Sequence, residues 1–351
     1  MVDKIFDVTA KLAMSRREIL QRTLLLGGAA AASALPMAHA QAADETLVLY
    51  SGEHRETTEQ LVAAFTKASG VKVTVRNGSS SELASQLAEE GANSPADLFW
   101  SEQSPNIAAL ADKGLLAPVD ADTLNAVYPS FKAADGTWVA GSARYRAVLY
   151  NKKMISDADL PVHILDYADA KWKDKIAFCV KDGFMEQVTA LMILEGKDKA
   201  LAWLKALKDN GRQYPGNGAL VKAVEAGEMA FGLTNNYYWD TMAKEQGADT
   251  LNTALHLVAK GDSGALVNVT AAGVLKSTKK MELAQKFLAY LVSEEGQSAV
   301  VASIAEYPVR PGVTSPFKLL SLSDYGQSKV TPGDIGAATE AFALSREAGL
   351  V

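Results

Sequence analysis

Asn235-Asn236-Tyr237-Tyr238-Trp239 stands out in the sequence because two adjacent phenols follow two carboxamides directly after an apolar run. If the preceding strand continued, neighbouring tyrosines would point to opposite faces of a sheet. A break at the asparagines, with a helix starting near Tyr237, lets both phenols reach one site. Each buried hydroxyl needs a partner, so converging phenols make a poor core. They are good ligands for a hard trivalent ion. A free phenol titrates near ~10 and is neutral at physiological pH, but a bound multivalent cation displaces its proton, and Fe(III) favours such anionic oxygen. Taken alone, these residues are better read as an interface or core aromatic patch.

His54 and Glu102 shift that balance, and the reason lies in the elements that carry them. Leu47-Val48-Leu49-Tyr50 reads as a strand, and Leu61, Val62 and Phe65 share one face of the helix that follows. Val71 to Val75 alternates with period two, Leu83 and Leu87 lie one helical turn apart, and Asp97-Leu98-Phe99-Trp100 is a third strand before a helix carrying Ile107, Leu110 and Ala111. This β-α-β-α-β-α order predicts an open, mostly parallel sheet. In such sheets the loops at the carboxyl ends of strands form the ligand crevice. Ser51 to Arg55 and Ser101 to Ser104 therefore share an edge, with a nitrogen donor at His54 and an oxygen donor at Glu102. A lone loop histidine is usually just solvated; convergence with the tyrosines raises the metal reading.

A second αβ block follows, with strands at Val148–Tyr150, Ile176–Val180 and Met229–Leu233 and helices around Leu191, Trp203 and Val224. Leu283, Phe287, Leu288 and Leu291 make a late amphipathic helix. Two αβ blocks suit a chain of 351 residues with 48% hydrophobic and 22% charged residues. Lys plus Arg is 35 against 41 for Asp plus Glu, a net charge of −6 that argues against nucleic acid as a partner. The single cysteine, Cys179, excludes a disulfide framework and any multi-thiolate metal site. It lies in an apolar run and reads as a buried hydrophobe.

The N-terminus reads as an export signal. Arg16-Arg17-Glu18-Ile19-Leu20 precedes an uncharged stretch and an Ala38-His39-Ala40 cleavage site, and it resembles a twin-arginine signal, although a general secretory signal can also carry Arg-Arg. Its apolar part is too short to span a bilayer, and no second span follows. Removing residues 1–40 takes away five basic residues (Lys4, Lys11, Arg16, Arg17, Arg22) and three acidic ones (Asp3, Asp7, Glu18), leaving a mature chain at 30 basic against 38 acidic, or −8. Gly261-Asp262-Ser263-Gly264 has the spelling found around serine-protease nucleophiles, but His54, His163 and His256 supply no supporting local motif. It reads as a polar turn, and an exported serine hydrolase using Ser263 stands only as an alternative. The Asn268-Val269-Thr270 sequon on a strand reads as incidental.

Five segments carry a resemblance to a known family: Tyr50-Ser51-Gly52-Glu53-His54, Pro95 to Gln103, Gly114-Leu115-Leu116-Ala117-Pro118, Asn235 to Trp239, and Glu306-Tyr307-Pro308-Val309-Arg310. In this order they resemble the bacterial periplasmic ferric-iron-binding proteins, the substrate-binding components of iron(III) ABC transporters. The resemblance implies an α/β fold of the class II periplasmic-binding-protein type, two-lobed, with a ligand cleft between the lobes. The implied first lobe is 41–143 plus 268–315 and the second 144–267 plus 316–351, after a cleaved signal at 1–40. Crossings near Arg144 to Asn151 and Ala265 to Val269 would act as hinge strands. The resemblance further implies iron ligands at His54, Glu102, Tyr237 and Tyr238, with an exogenous anion, such as phosphate or carbonate, and water completing the shell. Gln103, Asn217 and Asn235 match polar positions associated with the anion, Arg144 supplies charge, and Gly183 lies in the small-residue turn that would present backbone N–H groups. That turn, Val180-Lys181-Asp182-Gly183-Phe184, is one residue shorter than in phosphate-using relatives, and Asp182 would repel an anion unless it points away or caps the helix. The implied protein is a non-enzymatic periplasmic monomer that delivers Fe(III) to an inner-membrane ABC permease, with no stable membrane insertion. A related binding protein for an oxyanion or other small ligand is the nearest alternative.

Overall fold

Continuous apolar runs mark strands buried on both faces, whereas alternation marks a half-exposed one. The computed structural model describes residues 46–351 and follows that rule. Strands β1 (Leu47–Ser51) and β3 (Leu98–Ser101) are almost wholly buried, while β2 (Val73–Asn77) alternates between half-buried and exposed positions at the sheet edge. The expected export signal, with Arg16, Arg17 and the cleavage site, lies outside the described residues.

Helix Arg55–Ser69 buries Leu61 and Phe65, and helix Ser80–Glu90 buries Leu83 and Leu87. Ser79 caps the second of these by accepting the Glu82 N–H at 3.3 Å. Helix Ser104–Asp112, with Pro105 in its first turn, buries Ile107 and Leu110. β1 pairs in parallel with both β2 and β3, so the loops after β1 and β3 emerge side by side.

The long strand β4 (Val139–Asn151) is buried along its whole length. The remaining strands are β5 (Ile176–Phe178), β6 (Arg212–Gln213), β7 (Phe231–Asn235), β8 (Thr253–His256) and β9 (Val267–Val274). Their order is β2-β1-β3-β9-β4-β7-β5-β6, with β8 also on β4. Residues 139–145 of β4 pair with β9, and residues 146–150 pair with β7. The expected parallel order holds for β2-β1-β3 and β6-β5-β7, but β9 and β4 run antiparallel to their neighbours, so the sheet is mixed.

Periodicity placed a strand only at Val148–Tyr150 and the family resemblance carried it back to Arg144; the residues before that stayed hidden because Gly141, Ser142 and Arg144 interrupt the apolar pattern that the structure nonetheless buries. Helices Asp182–Glu195, Lys197–Asn210, Asn217–Ala226 and Met281–Leu291 lie where Leu191, Trp203, Val224 and Phe287 indicated. Phe231 of β7 is enclosed by the rings of Tyr167 and Trp172, at centroid distances of 5.4 and 5.2 Å. Cys179 is buried in an apolar cluster with Leu149, Ala177 and Leu220. Asn268 of the sequon is buried on β9 and donates from Nδ2 to Glu186.

Candidate functional site

The loop after β1 is drawn tight by a glycine. A Cβ at Gly52 would lie 2.1 Å from Ser80 Oγ and 2.7 Å from Ser80 Cα, so only glycine lets the loop close onto the start of helix Ser80–Glu90. Gly52 N–H donates to the Trp100 carbonyl at 2.8 Å, and Ser80 Oγ accepts the Glu102 N–H at 2.9 Å. These bonds lock the His54 loop and the Glu102 loop together. His54 occupies the N-cap position of helix Arg55–Ser69, yet its side chain makes no capping bond.

The imidazole turns instead toward two carboxylates and a phenol. His54 Nε2 is 3.9 Å from Glu102 Oε1 and 3.9 Å from Glu53 Oε1, and its ring meets the Tyr237 ring edge-on at 5.7 Å. Nε2 is buried and has no hydrogen-bond partner. Burial works against protonating this imidazole, but Glu53, Glu306 and Glu102 outweigh it and raise the histidine above its ordinary value.

Both tyrosines arrive together because β7 ends at Asn235 and a helix begins at once, Asn236–Gln246. Asn236 fixes that corner: its Oδ1 accepts the Tyr145 N–H at 2.9 Å, and its Nδ2 donates to Asp240 at 2.9 Å and to the Ala305 carbonyl at 3.2 Å. The rings of Tyr237 and Tyr238 stack at 4.2 Å. Each phenol lies close enough to the other, and Asn217 close enough to Tyr238, to influence its titration. Burial raises both phenols above the usual tyrosine value, Tyr237 well above it, so both hold their protons at neutral pH. The aromatic-patch reading describes part of Tyr237, which also packs with Ile304, Ala305 and Phe317. His54, Tyr237 and Tyr238 line a cavity of about 260 Å³ together with Thr57, Thr241 and Ser303.

The residues expected around an anion fall in four places. Asn235 and Gly183 lie side by side at Arg146: Asn235 Oδ1 accepts from Arg146 Nη1 at 3.1 Å, and a Cβ on Gly183 would be 3.5 Å from the same nitrogen. Asn217 sits at Tyr238. Gln103 is buried at the start of helix Ser104–Asp112, with its Oε1 unpartnered. Arg144 is fully buried among carboxylates and donates from Nη2 to the Glu102 carbonyl. The side chain of Asp182 lies outside the described residues.

Sequence reasoning missed Arg146, Glu53, Glu186 and Glu306. Arg146 had a signal, since it follows Arg144 by two residues on one strand and so shares its face. The buried acids had none, because the burial of a charged side chain is decided by distant elements.

Residues 60–319 match the sequence model of the bacterial extracellular solute-binding proteins. The chain belongs to that family. This solute-binding protein is 41% identical to the major ferric iron-binding protein of Neisseria meningitidis serogroup B over 322 residues, 91% of this chain and 97% of the relative. It is 37% identical to the Fe(3+)-binding periplasmic protein of Serratia marcescens, covering 90% of this chain and 93% of the relative. Among solved structures, iron-bound HitA from Pseudomonas aeruginosa superposes with a TM-score of 0.83 at 42% identity, over 87% of this chain and 99% of HitA.

The relatives named are binding proteins, and the Gly-Asp-Ser-Gly segment is built as a turn. Asp262 accepts from Gly264 N–H at 2.7 Å and Ile164 N–H at 3.1 Å and pairs with His163 at 2.9 Å. Ser263 Oγ is buried without a hydrogen-bond partner, so no histidine is bonded to it as a base. No helix among the described residues is long and apolar enough to cross a membrane.

Proposed function

We propose that this solute-binding protein captures Fe(III) through His54, Glu102, Tyr237 and Tyr238 in the periplasm and delivers it to an inner-membrane ABC permease. One observation carries the ligand assignment: His54 Nε2 is buried and unpartnered 3.9 Å from Glu102 Oε1, on a ring that meets Tyr237 edge-on, and Tyr237 in turn stacks on Tyr238. An orphaned buried nitrogen beside three oxygen donors is a poor design for a closed core and a good one for a hard cation.

Binding exchanges protons for metal. The phenols are neutral in the empty site and become phenolates on iron, and with the Glu102 carboxylate they supply three negative charges against Fe(III). The neutral imidazole adds a fourth bond. An anion, phosphate or carbonate in the simplest case, completes the shell from the side of Asn235, Gly183 and Arg146, with Asn217 and Gln103 as further polar contacts.

The ligands come from two sets of strands that share β4: His54 and Glu102 follow β1 and β3, and the tyrosines follow β7. Lobes of 41–143 plus 268–315 and 144–267 plus 316–351 divide the chain near the residues where β4 changes partner from β9 to β7. Iron then rewards the closed arrangement, because only there do all four ligands meet. The relatives' family supports the permease as receiver and the periplasm as the compartment.

The test is the visible spectrum of the mature protein on addition of ferric iron. Phenolate-bound iron gives a tyrosinate-to-iron charge-transfer band, which weakens in Tyr237→Phe and in Tyr238→Phe. A colourless wild-type protein without affinity for ferric iron sinks the proposal.

A further inference from the structure

Arg144 is among the largest fully buried side chains, and its surroundings are acidic. Burial alone would lower its pKa, but Glu306, Glu102 and Glu186 outweigh burial and raise it, so the guanidinium stays charged. Its Nη1 faces Glu306 Oε1 at 3.9 Å, and the other Glu306 oxygen accepts from Ser142 Oγ, two residues back on the same face of β4. Its Nη2 donates to the backbone carbonyl of Glu102. Its Nε and Nη1 make no hydrogen bond, but the carboxylates of Glu306, Glu102 and Glu186 already surround the guanidinium with negative charge, which disfavours a further anion.

The same ion pair also reaches the seat of the tyrosines. β4 is pinned to the segment after Glu306 by two bonds, Ala143 N–H to the Tyr307 carbonyl at 2.9 Å and Tyr307 N–H to the Ala143 carbonyl at 2.7 Å. Just before Glu306, Ile304 and Ala305 pack against Tyr237, and the Ala305 carbonyl accepts from Asn236. Arg144 therefore stands between the backbone of Glu102 and the segment on which Tyr237 rests.

We propose that Arg144 is a positioning residue: paired with Glu306, which Ser142 anchors, it holds the Glu102 backbone and so fixes the Glu102 carboxylate relative to the phenols, and it does not bind the anion. This rests on the iron reading above. Groups that orient metal ligands from behind typically change metal affinity about 10- to 100-fold when removed.

The experiment compares wild type, Arg144→Lys, Arg144→Met, Glu102→Gln and the Glu102→Gln/Arg144→Met double variant as mature chains. Ferric iron is titrated once in excess inorganic phosphate and once in excess bicarbonate, following the charge-transfer band, with thermal unfolding of the iron-free proteins as the folding control. Arg144→Met should weaken iron binding about 10- to 100-fold, by the same factor in both anions, with a displaced band, and Arg144→Lys should recover part of the loss. In the Glu102→Gln background the second substitution should add little, because the residue acts through Glu102. Where Arg144→Met fails to fold, Arg144→Lys carries the anion comparison and the band position. A loss confined to one anion, or losses that multiply in the double variant, would overturn the inference. A wild-type protein without the band overturns the iron reading, and this inference with it.

Discussion

Glu53→Gln tests how the empty site stores its charge. Glu53 is buried beside His54, accepts the His54 N–H through Oε1 at 2.7 Å, and leaves Oε2 without a partner. Burial first, and the neighbouring Glu306 second, push its carboxyl up to about 8 from 4.5. A carboxyl raised in the folded state binds its proton more tightly there than in the unfolded chain. Its contribution to stability is therefore complete below pH 4.5 and is lost as pH climbs through about 8. At about 1.4 kcal/mol per unit, that interval corresponds to a loss on the order of 5 kcal/mol. Glutamine keeps the acceptor for the His54 N–H and stays neutral at every pH. Urea unfolding of the iron-free protein at pH 5 and at pH 8 should show wild type losing stability between the two, while Glu53→Gln loses several kcal/mol less (~3–5 by the same conversion). Equal losses in the two proteins, or a Glu53→Gln protein less stable than wild type at pH 8, would refute the reasoning.

Other outcomes follow from the same geometry. Iron loading near pH 7.5 should release at least two protons per site, one from each phenol and a further share from His54, whose value is raised, and about one fewer in Tyr237→Phe, measured by pH-stat titration; equal release in the two proteins would mean Tyr237 is not a ligand. Iron affinity should fall on acidification, because protons compete for His54, Glu102 and the phenols; an affinity flat across the acid range would contradict that ligand set. Phe231→Ala, which empties the space between Tyr167 and Trp172, should cost about 3–5 kcal/mol in denaturant unfolding, and a loss under about 1 kcal/mol would mean the site collapses freely. Gly52→Ala should weaken iron binding by prising the His54 loop from Ser80 and Glu102, while the far end of the sheet keeps its hydrogen-exchange protection; unchanged iron affinity would show that the close approach is dispensable.

Periodicity made the first αβ block readable, because β1, β3 and their helices bury faces that a local pattern displays: Leu61 with Phe65, Leu83 with Leu87. Topology then did for His54 and Glu102 what no local motif could, since parallel strands that pair directly must release their loops at one edge. The helix start at Asn236 was readable from the carboxamides, although their separate tasks, Asn235 on Arg146 and Asn236 on Tyr145 and Ala305, were not. The first half of β4 was hidden because its buried polar residues look like loop. Arg144 and Ser142 are tolerable in a core only through Glu306 and Glu102, which come from elsewhere in the chain.

That hidden part also bears on how an iron site survives without iron. His54 stands among Glu53, Glu102 and Glu306, with two phenols adjacent, and three of these groups would become anionic ligands once metal arrives. Ionising them all in an empty, buried pocket would be strongly unfavourable. The structure avoids this in two ways. Burial keeps the phenols protonated until a cation displaces their protons, and Arg144 supplies a permanent positive charge behind the carboxylates. The acid cluster and the arginine are therefore one device, and the sequence offered only its front face, the four proposed ligands, because a candidate donor stands out by its type and by family resemblance whereas a counter-charge is defined only by what it faces.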